Sequence, residues 1–285
     1  ASLNGLGMLM RDMKKDDQAE PHYREALAIR REALPAGHTD IATSLNNLAV
    51  LLRAQNKLDE AETLHREALS IRRESLPPGH PSIASSLNNI AMLHLAQNKP
   101  AEAEPLFREA LEIRRESFAA GHEDVANSIS GLSSALLAQE KFAEAEPLAR
   151  EALESYRAKL PPGHDKIVGA LSTLAAVQQG LGKTDEARAG FDEAIAILRT
   201  GSPDGNAQFA RVLWRSGTAR LENKDLAAAV AELEEAVSMG ETVLPADDAH
   251  LAEYRTTLAQ CKAAIEAGEA SGAASAKPHT NGDKQ

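Results

Sequence analysis

The sequence predicts an all-α fold, an α-solenoid of stacked antiparallel helix pairs. Only 3% of its 285 residues are aromatic although 43% are hydrophobic, so the core must use small and aliphatic side chains. Such a core suits closely packed helices better than a β-sandwich or a barrel. The sequence also repeats every 42 residues: the segment that begins at Ala42 returns from Ala84 with about 26 of 42 positions identical. Self-similarity at a period of this size is typical of solenoids.

Three columns of small residues keep the 42-residue frame along the chain. Helices approach to about 8–10 Å only where the contact lacks bulk, so these columns predict the helix contacts. The first column contains Gly7, Ala49, Ala91, Ser133, Ala175 and Gly217. The second contains Ala19, Ala61, Ala103, Ala145, Ala187 and Ala229. The third contains Ala26, Ala68, Ala110, Ala152, Ala194 and Ala236.

Each unit is predicted to be two amphipathic helices, because apolar residues recur at helical spacing on both sides of a polar turn at residues 55–57. Consecutive prolines and Gly79 end the second helix. The core positions of the second unit are Leu45, Leu48, Ala49 and Leu52, then Ala61, Leu64, His65, Ala68 and Leu69.

The repeat sets the predicted domain boundaries. Six repeats with a period of 42 residues occupy residues 1–249, and a capping helix over residues 250–267 follows in register. Residues 268–285 have almost no bulky apolar side chain, which predicts a disordered tail. At the other end, Leu3, Leu6 and Gly7 form a core-type helix without a cap before it, which predicts at least one further helix upstream.

The repeated motifs resemble those of a known family. The small columns resemble the tetratricopeptide repeat, and the 42-residue period with S-L-N-N-L-A, E-A-E-P-L, R-E-A-L-x-I-R-R-E and L-P-P-G-H resembles its kinesin-light-chain-like subclass. The resemblance covers residues 1 to about 265. It implies a right-handed superhelix whose inner, concave face is lined by the first helix of each pair, with groove asparagines that bind peptides.

Composition excludes several classes of function. The formal net charge of −11 repels a phosphate backbone, and no basic stripe overrides it, so we expect no nucleic-acid partner. No stretch approaches the roughly 18 apolar residues of a bilayer span, so we expect no membrane partner. The single cysteine and the absence of glycosylation sequons predict a reducing, cytoplasmic location.

Apparent catalytic and metal-binding motifs have structural interpretations. Gly182-Lys183-Thr184 lacks the earlier glycine of a P-loop, since that position is Val177, and it falls in a turn between helices. Four histidines recur every 42 residues, too far apart to share one ion, and are expected to hydrogen-bond to the loops or to the next helix start. We therefore predict no cofactor, no metal and no catalysis. The histidines are His38, His80, His122 and His164.

Charged runs such as Arg72-Arg73-Glu74 and Arg66-Glu67 recur on the second helix of each unit. They lie largely outside its apolar stripe, so we expect a solvated outer face with weak ion pairs at helical spacing.

A row of asparagines on the first helices is the candidate partner-binding groove. At 100° per residue, the flank beside the core positions carries polar groups in consecutive units. An asparagine amide both donates and accepts, so such a row suits the backbone of an extended peptide, and arginines add affinity for carboxylates. The groove residues are Asn4, Arg11, Thr43, Asn46, Val50, Arg53, Asn88, Met92 and Trp214. Alternatively, the asparagines only tolerate a polar surface or bond the neighbouring helix, and Trp214 fills the core.

The sequence thus predicts a protein-interaction scaffold that binds a protein, a peptide or a partner helix in its groove. An alternative is the regulatory arm of a larger multidomain enzyme, such as a bacterial-type protein kinase or a protease-like effector, with its catalytic domain upstream of Ala1. The sequence leaves open the identity of the partner and the oligomeric state, including self-assembly through the exposed first repeat.

Overall fold

The computed structural model describes residues 3–13, 15–119 and 121–275, and every regular element within them is an α-helix, which confirms the all-α prediction. None of these helices is both long and apolar enough to cross a membrane. The helices are α1 (Leu3–Asp12), α2 (Asp16–Ala33), α3 (Thr39–Ala54), α4 (Leu58–Ser75), α5 (Pro81–Ala96), α6 (Pro100–Ser117), α7 (Glu123–Leu137), α8 (Phe142–Lys159), α9 (Asp165–Gly180), α10 (Thr184–Gly201), α11 (Ala207–Glu222), α12 (Leu226–Val243) and α13 (Ala249–Ser275).

The chain divides into two compact units, Ala1–Lys159 and Leu160–Gln285. In the first unit, α1 to α8 form four helix pairs, and the second helix of each pair contacts the first helix of the next. In the second unit, α9 with α10 and α11 with α12 form two further pairs, and α13 packs on α12 and α11. The boundary between the two units lies inside the repeat region predicted over residues 1–249.

A short turn reverses the chain within each pair. Between α3 and α4 its middle residue, Asn56, has a φ of 60°, in the left-handed region that asparagine and glycine tolerate best. Gly182 occupies the same place between α9 and α10 with a φ of 73°. The glycine of the apparent P-loop is thus a turn residue, and its structural interpretation is confirmed.

The four recurring histidines begin helices. The Nδ1 atom of His38 accepts a hydrogen bond from the backbone N–H of Asp40, two residues further on, at 3.1 Å. This contact satisfies one of the N–H groups that the first turn of α3 leaves free. It repeats at α5, α7 and α9, which confirms the predicted role of His80, His122 and His164.

Tight helix contacts explain the columns of small residues. Ala61 and Ala103 are completely buried. A Cβ atom added to Gly7 would lie 2.8 Å from the Tyr23 ring, and one added to Gly217 would lie 2.7 Å from Cγ of Leu233. The first small column therefore makes room for the side chain that the second helix directs at it.

The last helix differs from the prediction. Helix α13 continues past residue 267, where the predicted capping helix ends, as far as Ser275, and the disordered tail from residue 268 stays a prediction. Residues 276–285 of the predicted tail lie outside the described residues.

Candidate functional site

In the first unit, the first helices of the pairs leave one flank partly exposed. On α3 and α5 this flank carries polar groups around a pair of apolar side chains, and we call it the first-helix face. It consists of Thr43, Asn46, Val50 and Arg53 on α3, and of Ser85, Asn88 and Met92 on α5.

Asn46 lies at the centre of a polar cluster that joins two repeats. Its Oδ1 atom accepts a hydrogen bond from Nδ2 of Asn89 on α5 at 2.9 Å. The same oxygen lies 3.0 Å from Nδ1 of His65 on α4. Asn89, the second asparagine of its S-L-N-N motif, thus links Asn46 to the first helix of the next repeat.

The oxygen of Asn88 is engaged more weakly. Its Oδ1 atom is 3.4 Å from Nη1 of Arg114 and 3.5 Å from Oγ of Ser128, which are long distances for hydrogen bonds. Asn46 and Asn88 therefore share one arrangement: in both, the amide oxygen faces the protein.

Asn4 differs from the other members of the predicted row. Only 8% of its surface is exposed, and its Nδ2 atom donates to Oγ of Ser44 at 3.1 Å. Its amide belongs to the interior of the first two repeats, so its prediction as an exposed groove residue is wrong. Thr43 is exposed, but its hydroxyl donates to the carbonyl of Thr39 within the same helix.

Arg53 and Arg11 bring unpaired positive charge to this region. Within the described part of the chain, neither side chain forms an ion pair or a hydrogen bond. Burial lowers the pKa of Arg53, and the nearby charge of Arg11 lowers it further. Two cations held close together, one of them poorly hydrated, form a site that favours an anionic group.

Val50 and Met92 are equivalent residues of consecutive repeats, and both are partly buried. Val50 lies between Asn46 and Arg53, one turn from each along α3. The first-helix face therefore alternates polar groups with an apolar contact area, a combination that suits an extended peptide or a helix.

The charged runs of the second helices are only partly solvated, contrary to the prediction. Arg73 lies outside and pairs with Glu109 of the next repeat at 2.8 Å. Arg72, however, is 7% exposed, and its Nη1 atom donates to Oγ of Ser86 and to the carbonyl of Ser82. A long side chain just beside the apolar stripe can extend into the contact between repeats. Helical spacing alone does not indicate which of the two arginines is buried.

In the second unit, Trp214 contacts α13. Its Nε1 atom donates to Oγ1 of Thr257 at 3.1 Å, and its ring stacks on Tyr254 with the centroids 5.6 Å apart. The indole also packs against the cluster of Ala229, Leu233 and Cys261. These contacts favour the alternative in which Trp214 fills the core over the one in which it lines the groove.

His65 is the residue of this site that sequence reasoning missed, because it lies in the apolar stripe of α4. The sequence could have indicated it, because this histidine stands where the neighbouring repeats have the aromatic residues Tyr23 and Phe107. Among the described residues, no cluster of three or more histidine, cysteine or acidic side chains has the arrangement of a metal site.

Several solved structures are similar in fold to this chain. The putative kinesin light chain TPR-like repeats of Podosopora anserina are 22% identical, with a TM-score of 0.58, over 70% of this chain and 95% of that chain. BtubC (BKLC) from P. vanneervenii is 19% identical, with a TM-score of 0.59, over 85% and 96% of the two chains. The apo form of RapI is 16% identical, with a TM-score of 0.63, over 93% and 97%.

No curated protein matches the sequence at a significant level. A family model described as tetratricopeptide repeat matches residues 1–74 and 78–158, which together make up more than half of the chain. With the helix pairs and the small columns described above, this match shows that the chain belongs to the tetratricopeptide repeat family.

Proposed function

We propose that this protein is a non-catalytic interaction scaffold that binds a peptide or a partner helix along the first-helix face, the surface that becomes the concave groove in a tetratricopeptide stack. The repeat family to which it belongs consists mainly of protein-binding modules. A Rap protein of similar fold forms a complex with a competence and sporulation factor, which supports the proposal by analogy.

The observation that carries the proposal is the unpaired Arg53 on a partly buried helix face. The guanidinium of Arg53 is partly buried and has no acceptor among the described residues, so it has already lost part of its hydration. Most arginines on the second helices pair with acceptors within the protein, as Arg73 does with Glu109. A ligand that supplies a carboxylate or a carbonyl group to Arg53 would recover the missing interaction.

The proposal can be tested with peptides selected from a displayed random library on the whole protein. We expect the selected peptides to lose affinity for Arg53→Gln by roughly tenfold or more, the loss typical of a charge-assisted hydrogen bond. Arg73→Gln is the matched control, because it removes an exposed arginine from the outer surface of the same repeat. Its affinity should equal that of the wild type.

Thermal melting separates binding from folding. Arg53→Gln removes a poorly hydrated charge beside Arg11, so its melting temperature should be unchanged or higher. Peptides that bind equally well to the wild type and to Arg53→Gln would contradict binding at this face.

The interpretation as the regulatory arm of a multidomain enzyme uses the same face and stays a prediction. The cytoplasmic location, and the absence of nucleic-acid and membrane partners, likewise stay predictions from composition.

A further inference from the structure

His65 occupies a position that is aromatic or apolar in every other repeat. Its own side chain is fully buried. A buried imidazole needs a hydrogen-bond partner that a phenyl or alkyl group at the same place does not need. The equivalent residues are Tyr23, Phe107, Ala149, Phe191 and Leu233.

The surroundings of His65 select one protonation state. Burial, together with the charges of Arg53 and Arg72, lowers the pKa of His65 to about 4, so the ring is neutral at pH 7 and carries one proton. The Nε2 atom is buried without a hydrogen-bond partner. A proton there would leave a buried N–H group without an acceptor, which proteins rarely tolerate. The proton therefore resides on Nδ1 and is donated to Oδ1 of Asn46 at 3.0 Å.

This donor fixes the direction of the Asn46 amide. An amide oxygen has two lone pairs, and Oδ1 of Asn46 uses one for His65 and the other for Asn89. A rotation of the amide by 180° would direct its N–H groups at these two donors. The Nδ2 group of Asn46 has no acceptor among the described residues, and the side chain is partly exposed.

We propose that His65 is a positioning residue of the first-helix face, which holds Asn46 with its amide N–H groups directed outward so that this part of the face binds hydrogen-bond acceptors. The inference rests on the proposed function, because it assigns the ligand chemistry of the same face. It differs from the sequence-based expectation that each asparagine offers both a donor and an acceptor.

Arg53 extends the donor surface. It lies seven residues after Asn46 on α3, two turns along the same side of the helix, and it offers only N–H groups. The ligand that fits is a peptide segment with backbone carbonyl oxygens opposite Asn46 and a carboxylate within reach of Arg53. A ligand with a lysine in place of this carboxylate would bring its ammonium group next to the N–H donors of Asn46 and Arg53, where it would find no acceptor.

The experiment compares two labelled peptides, one of alternating glutamate and glycine and one with lysine in place of glutamate. The wild type should bind the glutamate peptide more tightly. Phenylalanine occupies the equivalent position in two other repeats, at Phe107 and Phe191. His65→Phe should lower the affinity for the glutamate peptide by roughly threefold to tenfold, because it removes the hydrogen bond that orients Asn46. Its melting temperature should stay equal or rise, because a buried polar group is lost. Phe107→Leu is the matched control, one repeat further along, and should not change the affinity.

A double-mutant cycle separates positioning from packing. In the Asn46→Ala background, His65→Phe should have no further effect on the affinity, because His65 acts through Asn46. An equal loss in both backgrounds would overturn the proposal, and so would tighter binding of the lysine peptide by the wild type.

The nitrogen chemical shifts of the His65 ring test the inference without any ligand. We expect a protonated Nδ1 and an unprotonated Nε2 at pH 7, and the reverse pattern would overturn the inference. If the wild type binds neither peptide, the proposed function fails, and the nitrogen shifts alone then decide whether His65 orients Asn46.

Discussion

The guanidinium of Arg72 donates to Oγ of Ser86 at 2.8 Å and joins the end of α4 to the first turns of α5. Burial lowers the pKa of Arg72, and no carboxylate of the described residues pairs with it. Arg30 makes the same contact with Ser44, and Arg114 makes it with Ser128. An arginine that is buried at Arg72 and Arg114 and partly buried at Arg30 thus donates to a serine hydroxyl of the next first helix and joins consecutive helix pairs.

The two arginines of the pair Arg72-Arg73 should differ in their effect on stability. Arg72→Ala should lower the free energy of unfolding by about 2–4 kcal/mol, because it leaves Ser86 and the carbonyl of Ser82 without their charged donor. Arg73→Ala removes an exposed ion pair with Glu109 and should cost no more than about 1 kcal/mol. Urea denaturation of both variants measures the difference, and equal costs would contradict the buried role of Arg72.

Enlarging a small column should destabilise the fold. Ala61 is completely buried, so Ala61→Leu forces extra methyl groups into a packed contact and should cost about 1–3 kcal/mol. Thr63→Leu on the exposed side of the same helix is the control, with an expected change of about 0.5 kcal/mol or less. An unchanged denaturation midpoint for Ala61→Leu would show that the column does not set the helix spacing.

Glu104 should make the protein sensitive to acid. Its hydrogen bonds to Lys141, Arg108 and Gln139 lower the pKa of this carboxyl to about 2, against 4.5 in the unfolded chain. The ionised Glu104 carboxylate therefore contributes to the free energy of unfolding by at most about 3 kcal/mol. This contribution is fully present above pH 4.5 and is lost as the pH falls from 4.5 to 2. Glu104→Gln should be less stable at pH 7 and should lose less stability in this window. Urea denaturation between pH 6 and pH 2.5 tests the difference in slope.

His65 should act in a different pH window. Its pKa is about 4 in the fold and 6.5 in the unfolded chain, so between these values the unfolded state binds the additional proton. The free energy of unfolding should therefore decrease as the pH falls from 6.5 to 4. His65→Phe should remove this part of the dependence and keep the part below pH 4.5 that Glu104 causes. A wild type and variant with parallel curves between pH 6.5 and pH 4 would argue against a neutral, buried His65.

The structure can be predicted from the sequence where one residue type has one structural consequence. The 42-residue period, the small columns and the turn at Asn56 determine that helices form, where they reverse and which sides pack. The sequence does not distinguish residues of the same type that have different surroundings in the fold. Arg72 and Arg73 are adjacent residues of the same type, and Asn4 and Asn46 occupy the same position of their repeats. In the fold, however, Arg72 is buried more deeply than Arg73, and Asn4 more deeply than Asn46.

The sequence by itself determined the all-α repeat architecture. Helical periodicity and the small residues that allow helices to approach closely can both be recognised from residues that are near one another in the chain. Only the tertiary structure decided the polarity of the first-helix face. The direction of the Asn46 amide depends on His65 and Asn89, which lie 19 and 43 residues away along the chain. A hydrogen bond requires two groups within about 3 Å at a suitable angle, and that proximity exists only after the helices of different repeats have packed.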